Sequence, residues 1–198
     1  MSQHDAGRDG LPDFELCREE PLSDLMRQRG VTTFRAAAAY VRDLQYRRPT
    51  ASGDLASVLI EGCGTCSSKH ALLAKIAREQ HVRGIELMLG LYEMRENNTP
   101  GVAVVLGTYG LSALPEAHCY LRYAGKRIDL TGLPSGPESP FNALLHEEPI
   151  EPAQALSEKG ARHRAFIERW AAERGLDPAR VWEARELCIA ALQGTIKA

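Results

Sequence analysis

The chain has 198 residues, 44% of them hydrophobic and 25% charged, with a formal net charge of −2 and both signs interleaved. That length suits one globular domain with a real core, and the charge balance excludes a strongly basic nucleic-acid binder or a polybasic membrane-surface protein. Five cysteines behind an N-terminus without the apolar stretch of a secretory signal point to thiols in a reducing cytoplasm, and no apolar run approaches the ~20 residues of a bilayer span.

Residues 1–12 are polar and Gly-rich and read as a poorly ordered tail, with a single domain expected over 13–198. Pro21 to Arg29 predicts a short helix, with proline in its first turn and Gly30 at its end. Thr33 then caps a helix from Phe34 to Leu44, with Phe34, Tyr40, Val41 and Leu44 on its apolar face. Gln45 to Gly53 reads as a loop. Asp54 to Glu61 is read as a short helix rather than a strand, because Asp54 suits a cap and Gly62 a stop. Leu72, Leu73, Ile76 and Ala77 recur at helical spacing after Cys66, so a core-packed helix is expected there. Gly84 to Tyr92 reads as a buried strand, Pro100 to Tyr109 as a short helix closed by Gly110. Ala117 to Tyr123 and Lys126 to Leu130 form the arms of a hairpin turning at Ala124-Gly125. Gly132 to Pro140 is a loop, and Pro149 and Pro152 keep the next stretch irregular. Ser157 to Arg174 and Pro178 to Leu192, the latter capped by Asp177, are helices (the C-terminal helical part, 157–192).

Cys66 carries the clearest chemistry. Gly62 and Gly64 precede it, and it falls in the first turn of a helix, where unpaired N–H groups and the positive end of the dipole favour a thiolate. If Ala124 and Gly125 make a two-residue turn, Tyr123 opposes Lys126 and Tyr120 opposes Asp129. His118 then shares a sheet face with Asp129, diagonal to it. An imidazole able to take a thiol proton, with a carboxylate fixing its tautomer, is what a cysteine nucleophile requires. His70, four residues after Cys66, is the rival base, but helical geometry turns it towards the core. Gln45 and Tyr46 are candidate oxyanion donors by chemistry alone.

Gly64-Thr65-Cys66-Ser67-Ser68-Lys69-His70-Ala71-Leu72-Leu73, Glu116-Ala117-His118 and Ile128-Asp129-Leu130-Thr131 together resemble the transglutaminase-like superfamily, over about residues 54–132. The resemblance implies an α+β fold with a papain-like core, a central helix on an antiparallel sheet, here extended by helices at both ends. It also implies a Cys66–His118–Asp129 triad for acyl transfer, or for amide or ester hydrolysis, through a thioester. No cofactor and no metal are called for, and the expected partner is a small-molecule or peptide amide or ester. Two other readings stand beside it. Cys63-Gly64-Thr65-Cys66 has the spacing of a thioredoxin-like dithiol, and the same fold could serve as a binding domain without turnover. A zinc site from Cys63, Cys66, His118 and Cys119 is disfavoured, since His118 and Cys119 point to opposite faces of a strand.

Overall fold

The computed structural model describes residues 10–17 and 19–194. Among them the chain forms a mixed α+β fold of eight α-helices, one 3-10 helix (Pro140–Ala143) and six strands. The chain gathers into two compact units. The first takes the described residues up to Leu89, Cys119–Gly132 and Glu148–Ser157; the second takes Gly90–His118, Leu133–Glu147 and the described residues from Glu158 on. No described helix is long and apolar enough to cross a membrane.

The first unit is built around a 14-residue helix. Helices α1 (Pro21–Arg27), α2 (Phe34–Asp43) and α3 (Ala56–Ile60) precede it, as do two short strands, β1 (Gln45–Tyr46) and β2 (Cys63–Gly64), which pair in parallel. The central helix, α4, is Cys66–Glu79, and it packs against α1, α2, α3 and α6 (Pro152–Ser157). Of its 14 residues only Lys75 and Arg78 are exposed, so it is a core helix buried all round rather than a surface helix with one apolar stripe. Its last turn reaches back to α1: the Glu79 carboxylate accepts from the backbone N–H groups of Leu22 (3.3 Å) and Ser23 (3.1 Å) and from the Ser23 hydroxyl (2.8 Å). This satisfies donors that no side chain of α1 caps.

Local chemistry explains the boundaries. Thr33 Oγ1 caps α2 by accepting from Ala36 N–H. Asp54 accepts from Ala56 N–H through its side chain, and Gly62 follows α3 at φ +64°, so the short-helix reading of this stretch holds. The hairpin of β4 (Leu114–Tyr123) and β5 (Lys126–Ile128) is antiparallel, with Tyr123 opposite Lys126 and Leu121 opposite Ile128. Ala124 (φ +48°) and Gly125 (φ +76°) give the two positive φ angles of a tight turn, so the register is the one expected from the sequence. The hairpin belongs to a four-stranded sheet of order β5-β4-β3-β6, with β3 at Glu86–Met94 and β6 at Leu144–Pro149.

Two expectations differ from the structure. Leu11, assigned by sequence to the polar tail, is only 1% exposed, and its carbonyl accepts from Arg35 Nε at 2.8 Å. Residues 1–9 of that expected tail lie outside the described residues. The stretch read as irregular around Pro149 and Pro152 holds β6 and then α6 instead. Proline is tolerated at both places, because Pro149 ends its strand and Pro152 opens its helix, where no N–H is required.

The second unit packs α5 (Ala103–Thr108), α7 (Lys159–Ala172) and α8 (Pro178–Leu192) around a core that includes Tyr92, Met94, Leu106, Leu114, Trp170 and Cys188. Asp177 caps α8 through Ala179 N–H, as its sequence suggested. A buried ion pair crosses this core: Arg185 Nε and Nη2 donate to the two Glu116 oxygens at 2.7 and 2.8 Å. Burial alone would raise the Glu116 pKa, but Arg185 and His163 more than offset it and hold the carboxyl at about 2.

Candidate functional site

Cys66 begins α4, as the glycine-rich approach predicted. Thr65 stands in extended backbone as its N-cap, and its N–H donates to the Ser68 hydroxyl at 3.0 Å, one half of a capping box. The Cys66 side chain is 3% exposed, and its sulfur lies 3.9 Å from the Ser67 hydroxyl. Gly64 is required here for space: a Cβ on it would lie 2.8 Å from Lys69 Cγ and 3.0 Å from Ser68 Oγ. Parallel pairing sets Gln45 opposite Cys63 and Tyr46 opposite Gly64, so the two candidate oxyanion donors run alongside the strand that leads into Cys66.

Asp129 lies one residue past β5, in the same unit as Cys66. The four residues from Asp129 to Gly132 are each held by a separate device. The Asp129 carboxylate accepts from Thr131 N–H at 2.9 Å, closing a tight Asx turn. Leu130 N–H donates to His70 Nε2 at 2.7 Å. Thr131 O accepts from Lys69 Nζ at 2.7 Å. Gly132 adopts φ +77°, and a Cβ there would sit 2.3 Å from Arg42 O.

His70 and Lys69, neighbours on the central helix, therefore tie the Asp129 segment to the Cys66 turn. His70 is fully buried, and because its Nε2 accepts from Leu130 N–H, the ring proton is on Nδ1, which donates to Cys66 O at 2.8 Å. With Nε2 an acceptor, the 3.7 Å approach of Asp129 Oδ1 is not an ion pair. Both ring nitrogens are thus committed to backbone, which removes His70 as a base for the thiol and agrees with the core-lining position expected from its spacing.

Lys69 was not singled out in the sequence. It is fully buried, and its three ammonium protons go to the carbonyls of Leu44 (2.6 Å), Thr131 (2.7 Å) and Arg42 (3.1 Å). Burial pulls its pKa down from 10.5 to about 8, while the Asp129 carboxylate works in the opposite direction. The available signal was a lysine with Cys66, Ala71, Leu72 and Leu73 all within four residues of it on the helix.

His118 belongs to the second unit, at the middle of β4. It is half-buried, with the Tyr92 ring edge-on at 6.1 Å and the Phe141 ring at 6.4 Å. Glu116, two residues before it on the strand, is clamped by Arg185. Cys63 is fully buried in β2, and burial raises its pKa, with Arg47 acting the other way. None of the five cysteines is in a disulfide. Among the described residues no three His, Cys, Asp or Glu side chains gather as a metal site would need. Set against protein-family models, curated proteins and solved structures, the chain finds no match.

Proposed function

We propose that the chain is a cysteine-dependent acyl-transfer or hydrolytic enzyme of papain-like, transglutaminase-like type, with Cys66 as nucleophile, His118 as base and Asp129 as the group that orients it. The observation that carries this reading is the hard-wired connection between the Cys66 turn and the Asp129 segment through His70 and Lys69. Two buried polar side chains spent on fixing one helix start to one strand end make sense where their relative position matters. The hairpin register adds support: it pairs Leu121 with Ile128, and an alternation continued one step further would bring Asp129 opposite Tyr120, on the strand face that His118 shares. In the proposed reaction the thiol proton moves to His118 as sulfur bonds to the acyl carbon. The C–N or C–O bond then breaks, the leaving amine or alcohol takes the proton from His118, and water or a second amine releases the acyl group from Cys66.

A second reading is favoured by one observation, the 3% exposure of Cys66, which suits a binding domain of the same architecture without turnover. The dithiol reading is weaker, because burial raises the pKa of Cys63 and leaves it a poor attacking thiol. The test is turnover of a panel of activated esters and amides, beside insulin-disulfide reduction, with Cys66→Ser, Cys63→Ser and His118→Ala. Acyl turnover lost in Cys66→Ser, kept in Cys63→Ser, and reduced in His118→Ala with a changed pH profile is the expected pattern. Disulfide reduction that needs both cysteines, with no acyl turnover, would establish a redox protein instead. Silence in both assays would favour the binding domain.

A further inference from the structure

Two consecutive residues of β4, Pro115 and Glu116, are gripped by side chains from the two long helices of the second unit. His163 of α7 lies with Nε2 2.9 Å from Pro115 O; a carbonyl only accepts, so Nε2 carries the ring proton and donates it. Arg185 of α8 donates to both Glu116 oxygens, from Nε at 2.7 Å and from Nη2 at 2.8 Å. His163 Nε2 stands 4.0 Å from Glu116 Oε2, beyond hydrogen-bond reach, so the two grips are separate. His163, Glu116 and Arg185 are all buried.

We propose that His163 and the Arg185–Glu116 pair are positioning groups for His118, a role that rests on the reading of His118 as the base. His118 follows Glu116 by two residues, so alternation puts the two side chains on one face of β4, about 7 Å apart along the strand. Pro115 brings no N–H to a ladder, which leaves this point of the strand one constraint short. The helices supply it. Apolar side chains of the same volume commonly stabilise a core as well as a buried ion pair does, whereas a two-pronged pair admits one register between its elements. Lys69 and His70 hold the Asp129 segment of the first unit in the same way, through Thr131 O and Leu130 N–H.

The ring of His118 is bracketed by aromatic side chains of the same unit, Tyr92 edge-on at 6.1 Å and Phe141 at 6.4 Å. Tyr92 is itself pinned. Its hydroxyl is 3.0 Å from Thr99 Oγ1, whose own proton goes to Asn98 Oδ1 at 3.0 Å, so Tyr92 is the donor. Asn98 Nδ2 donates in turn to Glu93 O at 2.8 Å, which closes the turn that carries Thr99. With its backbone fixed by α7 and α8 and its ring flanked by Tyr92 and Phe141, the His118 imidazole is preorganised, as a general base requires.

The chain has six histidines, and His118→Gln identifies the His118 ring signals in a ¹H–¹³C correlation spectrum of the full chain. Glu116→Leu combined with Arg185→Leu replaces both partners of the pair and leaves no charge buried alone. His163→Leu removes the donor to Pro115 O, and His163→Gln keeps one. In the double variant and in His163→Leu the His118 ring signals should shift and their titration midpoint should move. Turnover of the activated esters should lose about tenfold to a hundredfold in kcat with KM unchanged, the cost of a misplaced catalytic group. His163→Gln should return both readouts towards wild type. Folded variants with wild-type His118 signals and kcat would overturn the proposal, as would His163→Gln behaving like His163→Leu. Loss of the fold in both the double variant and His163→Leu would assign the contacts to stability alone and overturn it as well. If the wild type turns over none of the esters and amides, the acyl-transfer reading fails, and the His118 signals still decide whether the two grips position the ring.

Discussion

Lys69→Met is the substitution with the most to say about how the site is held. It keeps the unbranched buried stem and removes the ammonium that serves the Arg42, Leu44 and Thr131 carbonyls. Leaving buried carbonyls unpaired costs about 1–3 kcal/mol each, and three of them set a gross loss of several kcal/mol, largest at the fully buried Thr131 contact. Opposing this, a lysine held at about 8 instead of 10.5 carries a desolvation penalty of about 3 kcal/mol at neutral pH, which methionine does not. The net expectation at neutral pH is a variant less stable by about 1–3 kcal/mol. The pH dependence is the sharper test. Because the folded pKa lies below the unfolded one, the unfolded chain binds more protons between about 8 and 10.5, so the lysine's burial penalty is relieved as pH rises through that window. Urea unfolding of both proteins under reducing conditions, at steps from about pH 7 to 10.5, should show the wild-type advantage widening by up to about 3 kcal/mol. An advantage that stays constant or shrinks with pH would refute the reasoning, as would a variant equal in stability to wild type at neutral pH.

Other consequences can be checked as directly. His70→Leu should destabilise by about 2–4 kcal/mol, because Leu130 N–H and Cys66 O lose their bridge, and should lower any Cys66 reactivity without moving its pH profile; a moved profile in alkylation kinetics would make His70 a base after all. Gly132→Ala must accept φ +77° and a Cβ 2.3 Å from Arg42 O, so a loss of about 3 kcal/mol or more is expected in thermal unfolding. Gly53→Ala, with open space around its Cβ, is the control and should change stability by less than about 0.5 kcal/mol. Glu116, held at about 2 by Arg185 and His163 against its burial, contributes stability that is complete above about 4.5 and is lost as pH falls towards 2. Arg185→Met should abolish that acid-side dependence and leave a protein weaker at neutral pH by about 3–5 kcal/mol, as acid titration followed by circular dichroism would show.

The sequence by itself determined the parts of this protein governed by near neighbours. The starts of α2, α4 and α8 follow from side chains or extended backbone within three residues of the cap, at Thr33, Thr65 and Asp177. The Ala124-Gly125 turn fixed the hairpin register because a two-residue loop leaves one pairing. Only the tertiary structure decided which groups at the site do what. Lys69 looks like any helical lysine until its fold surrounds it with carbonyls from 25, 27 and 62 residues away. The proton position on His70 is set by Leu130 N–H, 60 residues along the chain. Leu11 leaves the expected tail for the core because Arg35 and its surroundings are there to receive it. β6 and α6 form beside prolines because β3 and α4 supply their partners: Ile150 N–H bonds to Leu87 O, and Arg78 at the end of α4 grips Glu151. Hydrogen-bond partners and burial come from residues distant in the chain, and pattern within a short window carries no record of them.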